Sequence, residues 1–296
     1  MTKAPTSLSR AFLYILPVLI CISGLQSCMH AKLTQMAPIE SYPADTWLSG
    51  QTHKKALIIV AHDDDAMSCA GTVSMLTAQG WDIEMLCFYT ALPADSVRNR
   101  QRMQDIQVAA KIQGIRGVTY HALNYRLDHG SATPLFAYTT PEQRDSLFKM
   151  DTLRQLVHQF IDSRSPSVIF TLDEVIGGYG HPDHAVISGI VKSYVLESPT
   201  TVQRIYQAVF TPHQAETIMA DLPVYQRAKQ LCQCAGMPLP NTQIYITPYA
   251  QQKQSAMQAY STEQHNIQKF WPKYDKMPAA SYFGLFDREF FRVITK

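Results

Sequence analysis

The apolar positions of this chain fall into short unbroken runs separated by longer stretches of mixed polarity. Ala56–Ala61 reads ALIIVA, without a polar residue. Comparable runs at Ile83–Tyr89, Gly117–Ala122, Ser167–Leu172, Arg204–Phe210 and Gln243–Thr247 predict further strands. A strand with one wet face alternates apolar and polar residues, so continuous runs of this length point to strands covered on both faces. Between them, Ala70–Gln79, Ser96–Gln113, Pro141–Ser163, Pro182–Leu196, Val224–Cys234 and Tyr249–Tyr260 read as helices. Strand–helix alternation predicts an α/β protein with a mostly parallel sheet and helices on both faces. The aromatic C-terminal stretch, with FWPKYDKM and SYFGLFDREFF, is expected to cap that sheet. No strong linker interrupts residues 55–296, which read as one domain.

The N-terminus breaks this pattern. Lys3 and Arg10 precede an apolar run from Ala11 to Ile22 that is short for a bilayer span, followed by small residues. Leu25-Gln26-Ser27-Cys28 resembles a bacterial lipoprotein lipobox, with Gln26 as an unusual −2 residue. The resemblance implies cleavage before Cys28, lipid on its thiol and new N-terminus, and an exported body anchored to a membrane of the cell envelope. Residues 1–27 are then a signal peptide and 28–54, with Pro38, Pro43 and no periodicity, a tether. An uncleaved anchor helix and a conventional signal peptide are the alternatives, and both also export the body.

Composition narrows the classes. Of 296 residues 46% are hydrophobic and 17% charged, enough for a sizeable core. Net charge is +2, and no Lys/Arg block or stripe suggests a nucleic-acid surface. Cys69 and Cys87 lie in apolar contexts and read as buried thiols. Cys232-Gln-Cys234 is a weak metal signal, since structural zinc usually takes four paired ligands; a disulfide is the other reading.

The chemistry concentrates in two places. The first predicted strand runs straight into His62-Asp63-Asp64-Asp65, and GGYGHPDH (Gly177–His184) follows the strand Ser167–Leu172. Adjacent carboxylates repel one another, which a cation relieves. A dinucleotide turn is the wrong reading, because it needs glycines where this chain has three acids that would repel phosphate. Imidazole with carboxylate oxygen suits Zn²⁺ and related divalent ions, and catalytic zinc takes three protein ligands. His62 and Asp65 offer two ligands, and His181 and His184 offer more, while Asp64 stays free to act on water. In open α/β sheets both loops should open beyond the C-terminal ends of their strands.

These segments resemble the PIG-L/LmbE-like family of zinc-dependent de-N-acetylases. AHDDDAMSCAGT is similar to its Ala-His-Pro-Asp-Asp-Glu…Gly-Gly-Thr signature, and GGYGHPDH matches its second signature. RMQDIQVAAKIQG resembles a family helix, and KQSAMQAYSTEQ its C-terminal segment with one residue extra before Gln264. The resemblance covers roughly residues 55–296 and implies a Rossmann-like three-layer α/β/α sandwich. It implies Zn²⁺, with Fe²⁺ or Co²⁺ as other options, held by His62, Asp65 and His184. It makes Asp64 the general base, His181 the group that polarises the carbonyl or holds the oxyanion, and Tyr179 a helper at the oxyanion. Arg102 and Asp128 become candidates for sugar-hydroxyl contacts; Arg102 pairing with Asp105, and Asp128 closing a turn, are the plain alternatives.

Two departures stand out. Asp63 replaces the family's proline and is expected to face water; Ala66 replaces its glutamate, removing an outer partner of the ligands. The implied activity is hydrolysis of the N-acetyl amide of an N-acetylglucosamine-type sugar or glycoconjugate. The alternatives are a metal-dependent amidase on another amide (a thiol conjugate, an acyl-lipid or a glycopeptide) and a non-catalytic glycan-binding lipoprotein with a decayed site.

Overall fold

The computed structural model describes residues 28–89, 96–122, 126–127 and 140–296. The expected signal peptide and Asp128 lie outside the described residues. The described residues fall into two compact units, one ending at Ala37 and one spanning Pro38–Lys296. In the first unit residues 28–36 form a helix on which Cys28 is exposed.

The second unit is built on seven strands: β1 (Lys55–Val60), β2 (Asp82–Tyr89), β3 (Gly117–Ala122), β4 (Val168–Thr171), β5 (Arg204–Val209), β6 (Thr242–Tyr245) and β7 (Arg288–Thr295). Their order in the sheet is β3-β2-β1-β4-β5-β7-β6. The first five run parallel, and β7 lies antiparallel between β5 and β6. Helices cover both faces, so the α/β three-layer architecture expected from the apolar runs is present. β1 is buried from Ala56 through Val60 and β4 throughout, as sheet-centre strands must be. Leu57, Ile59, Phe88 and Ile169 meet Leu153, Val157 and Ile187 from the covering helices in one core cluster.

The order places a switch point between β1 and β4. The chain leaves β1 toward β2 and β3, then returns to build β4 and β5 on the other side. β1 and β4 pair in parallel from Ala56↔Val168 to Ile58↔Phe170. The loops after these two strands therefore emerge side by side, the position at which open α/β sheets bind ligands.

Three expectations change. The single helix at Pro141–Ser163 is two, Pro141–Leu147 and Met150–Arg164. Phe148 is extended between them, buried, and bridged antiparallel to Arg126, whose guanidinium lies over the Phe148 ring at 5.0 Å. The C-terminal aromatic stretch does more than cap: after the helix Ala279–Leu285 it supplies β7, in which Phe290 and Phe291 are buried. Residues 38–54 are not a free tether. Ala44 bridges to Gln243, the Tyr206 hydroxyl donates to Asp45 Oδ2 at 2.6 Å, and Leu48 is buried.

Candidate metal centre

The turn after β1 is a short 3₁₀ helix, Asp64–Cys69, that runs directly into the helix Ala70–Ala78. Its geometry turns the acids to different neighbours. The Asp65 carboxylate folds back to accept the His62 backbone N–H at 2.8 Å. Asp63 is fully buried and ion-paired with Arg102, the reverse of its expected exposure. Arg102 reaches it from the helix Ser96–Gln113 and also pairs with Glu263 at 2.8 Å and with Asp64 at 3.4 Å. Asp105, on the same helix, accepts from Ser261 and Thr262.

The second loop is held by a residue that sequence reasoning passed over. Asp173, fully buried just after β4, accepts backbone N–H groups from Val175, Ile176, Gly177 and Gly178. Its carboxylate fastens the glycine turn whose Gly177 carbonyl lies 3.1 Å from His184 Nδ1. Gly177 and Gly180 have φ of +66° and +103°. A Cβ at Gly180 would stand 2.6 Å from the Ala228 Cβ, so both conformation and space require glycine there.

These constraints settle where the imidazole lone pairs point. His184 Nδ1 faces a carbonyl, which needs a proton on that nitrogen and leaves Nε2 as an acceptor. His62 Nε2 faces Asp183 Oδ2 at 3.4 Å, which likewise leaves Nδ1 as the acceptor. These two acceptor nitrogens stand 3.0 Å apart. Asp65 adds oxygen at 3.1 Å from His184 Nε2 and 3.5 Å from His62 Nδ1. Three lone-pair donors so close repel each other unless a proton or a cation lies among them. Tetrahedral ligands ~2.1 Å from an ion sit ~3.4 Å apart, so this set fits a zinc-like ion. His181 joins His62 and His184 in a wider cluster whose ligating atoms lie within 4.8 Å of one another.

His181 has a different tautomer constraint. Its Nδ1 accepts the Asp183 N–H at 3.3 Å, so the neutral ring carries its proton on Nε2. Asp183 is the second residue missed earlier, although it stands inside the signature His181-Pro182-Asp183-His184. It binds Arg126 at 2.9 Å and faces both His62 and His181. The Tyr179 ring packs edge-on to His184 at 5.4 Å and to His181 at 5.9 Å.

The electrostatics without an ion follow from burial and neighbours. Burial pushes the Asp64 carboxyl up to about 7; Arg102 opposes this, and Asp65, Asp63 and Glu263 add to it. Asp65 is held well below the usual carboxylate range, because His184 and His62 outweigh its burial. Burial disfavours charge on His62, yet Asp65 and Asp183 overcome it and raise the imidazole well above its ordinary value. Burial, reinforced by His184 and His62 against Asp183, keeps His181 well below its own.

His62, Asp64, Asp65, Tyr179, His181, Asp183 and His184 line one cavity of about 320 Å³. Arg98, Arg102, Glu263 and Asn266 line it together with Asp64. The three metal-ligand candidates, Asp64 and His181 are thus brought together, Tyr179 lines the same space, and Arg102 reaches it while engaged by three acids. Cys232 and Cys234 form a disulfide with each other, away from the histidine cluster in sequence and in ligand set.

Residues 57–195 match the family model described as PIG-L: GlcNAc-PI de-N-acetylase. A curated relative, the 1D-myo-inositol 2-acetamido-2-deoxy-alpha-D-glucopyranoside deacetylase of Mycobacteroides abscessus, is 24% identical over 241 residues, spanning 72% of this chain and 82% of that protein. Among solved structures, a deacetylase of the teicoplanin biosynthesis pathway in complex with bog matches with TM-score 0.52 and 14% identity, over 82% of this chain and 98% of that one. The zinc-inhibited form of teicoplanin deacetylase Orf2 matches with TM-score 0.50 and 13% identity, over the same shares. At these identities the solved structures speak for the fold.

Proposed function

We propose that this chain, which carries a PIG-L family domain over residues 57–195, is a metal-dependent amide hydrolase that removes the N-acetyl group of an N-acetylglucosamine-type sugar or glycoconjugate. The observation that carries the reading is the convergence of His62 Nδ1, His184 Nε2 and the Asp65 carboxylate at 3.0–3.5 Å, with Asp64 and His181 in the same cavity. The curated relative supports the amide class, since it is a deacetylase of an acetamido sugar.

His62, Asp65 and His184 would hold the ion. Zn²⁺, or Fe²⁺ or Co²⁺ in its place, would supply there a Lewis acid for water and the carbonyl oxygen. Asp64, poised near neutrality, takes the proton of the attacking water and passes it to the leaving nitrogen. His181 donates from Nε2 to the oxygen on which charge develops, and Asp183 holds its tautomer through the backbone bond at Nδ1. Tyr179, whose burial keeps its hydroxyl protonated, supplies a second donor on that side. Arg102, fixed by Asp63 and Glu263, positions Asp64 and borders the sugar side of the cavity.

Export with lipid on Cys28 is part of this proposal and rests on the sequence pattern alone. It selects envelope or imported glycans as accessible substrates. The test is release of acetate from N-acetylglucosamine conjugates by the metal-loaded protein. Cleavage that disappears on chelation and returns with Zn²⁺ supports the reading; a folded, loaded protein that leaves every acetamido sugar intact overturns it.

A further inference from the structure

The catalytic cavity has two chemically different sides. Near Asp64 it is polar, bounded by Arg102, Arg98, Glu263 and Asn266. Next to His181 and His184 begins a continuous apolar wall. The Tyr179 ring stacks at a tilt on Phe270 with centroids 4.8 Å apart, Phe270 adjoins Trp271 at 6.3 Å, and Trp271 meets Phe210 edge-on at 6.2 Å. Met237 closes the wall, its Sδ accepting the Phe210 N–H at 3.2 Å. The wall reaches the metal ligands themselves: a Cβ built on Gly178 would lie 3.9 Å from both His184 Nδ1 and the Met237 methyl.

The reaction assigns a half of the substrate to each side. Water adds its oxygen to the carbonyl carbon and the C–N bond breaks. The proton lost by that water travels through Asp64 to the nitrogen, leaving an amine and a carboxylic acid. The nitrogen must therefore lie toward Asp64, which puts the amine half against the charged side. The remaining substituent of the carbonyl carbon points away from the base, toward Tyr179 and Met237. An acetyl methyl would leave most of this wall facing water.

We infer that the apolar wall formed by Tyr179, Phe270, Trp271, Phe210 and Met237 is an acyl subsite, and that the preferred substrates are amino sugars carrying an N-acyl chain longer than acetyl. This rests on the amide-hydrolase reading and specifies its acyl group. The cavity is within the ~300–1,000 Å³ span of small-molecule sites, room for more than an acetamido group.

The test compares N-acetyl-, N-butyryl- and N-hexanoylglucosamine in two ways. Binding to the inert Asp64→Asn protein is measured by calorimetry, and acid release is followed on the metal-loaded wild type. Each added methylene buried on the wall should strengthen binding and raise kcat/KM about three- to fourfold, roughly tenfold from acetyl to butyryl. Met237→Gln should flatten this dependence on chain length and Met237→Leu should keep it. Equal or falling affinity along the series overturns the subsite. Graded binding without any acid release keeps the subsite and removes the hydrolase reading instead.

Discussion

At the residue scale, the three consecutive acids are divided among different tasks by what each one touches. Asp65 is turned onto His62 and His184, Asp63 is buried on Arg102, and Asp64 remains at the cavity with its carboxyl raised to about 7. Asp64→Asn keeps the shape and removes the base, so kcat should fall about 10²–10⁴-fold with metal content unchanged. Steady-state kinetics with metal analysis check this. Asp183 ties the second loop to the first. Replacing its side chain takes the carboxylate away from the buried Arg126 and from His62 Nε2, while the backbone N–H still meets His181 Nδ1. Asp183→Ala should cost about 3–5 kcal/mol in chemical unfolding, as for other broken buried pairs. The same variant should weaken metal affinity ~10–100-fold in a competition titration.

The ligand candidates stood out because two imidazole and carboxylate clusters each follow an apolar strand and together resemble paired family motifs. The fate of Asp63 was not, because its partner Arg102 is distant in sequence and burial of that pair depends on the helix Ser96–Gln113 packing over the turn. Asp173 was also silent, since a lone aspartate after a strand carries no pattern until the backbone curls around it.

At the element scale, β7 links the far end of the chain to the metal loop. Glu289 on β7 accepts the Gly71 and Thr72 N–H groups at 2.8 Å each, satisfying donors that the first turn of Ala70–Ala78 cannot use internally. Lys253, itself buried, pairs with the same carboxylate. Glu289→Ala should destabilise the protein by about 3–5 kcal/mol and loosen the helix that follows the metal turn. Glu289→Gln, which still accepts, should lose less; urea unfolding of both variants measures the difference. The strand was hidden because Arg288, Glu289 and Arg292 interrupt its apolar run, and their partners come from other elements. The central strands β1 and β4 were legible for the opposite reason: buried almost throughout, they admit almost no polar residue. Residues 38–54 looked featureless because their order comes from contacts with Gln243 and Tyr206 rather than from a period of their own.

At the scale of the molecule, the switch point between β1 and β4 lets two loops distant in sequence share one centre. The active form has Asp64 ionised, so kcat/KM should climb about tenfold per pH unit below the Asp64 pKa and level off above it. A bound cation favours the carboxylate, so this midpoint should lie below the value of about 7 that Asp64 holds without an ion. A pH–rate profile with a rising limb centred well above 7 would argue for another base.

The most direct measurement is the metal content of the purified chain by elemental mass spectrometry, beside the double variant His62→Ala/His184→Ala. The geometry predicts about one divalent ion per wild-type chain and none in the variant. A folded wild type that stays free of metal after incubation with zinc would contradict it, and the convergence of His62, Asp65 and His184 would then have to be held together by protons alone.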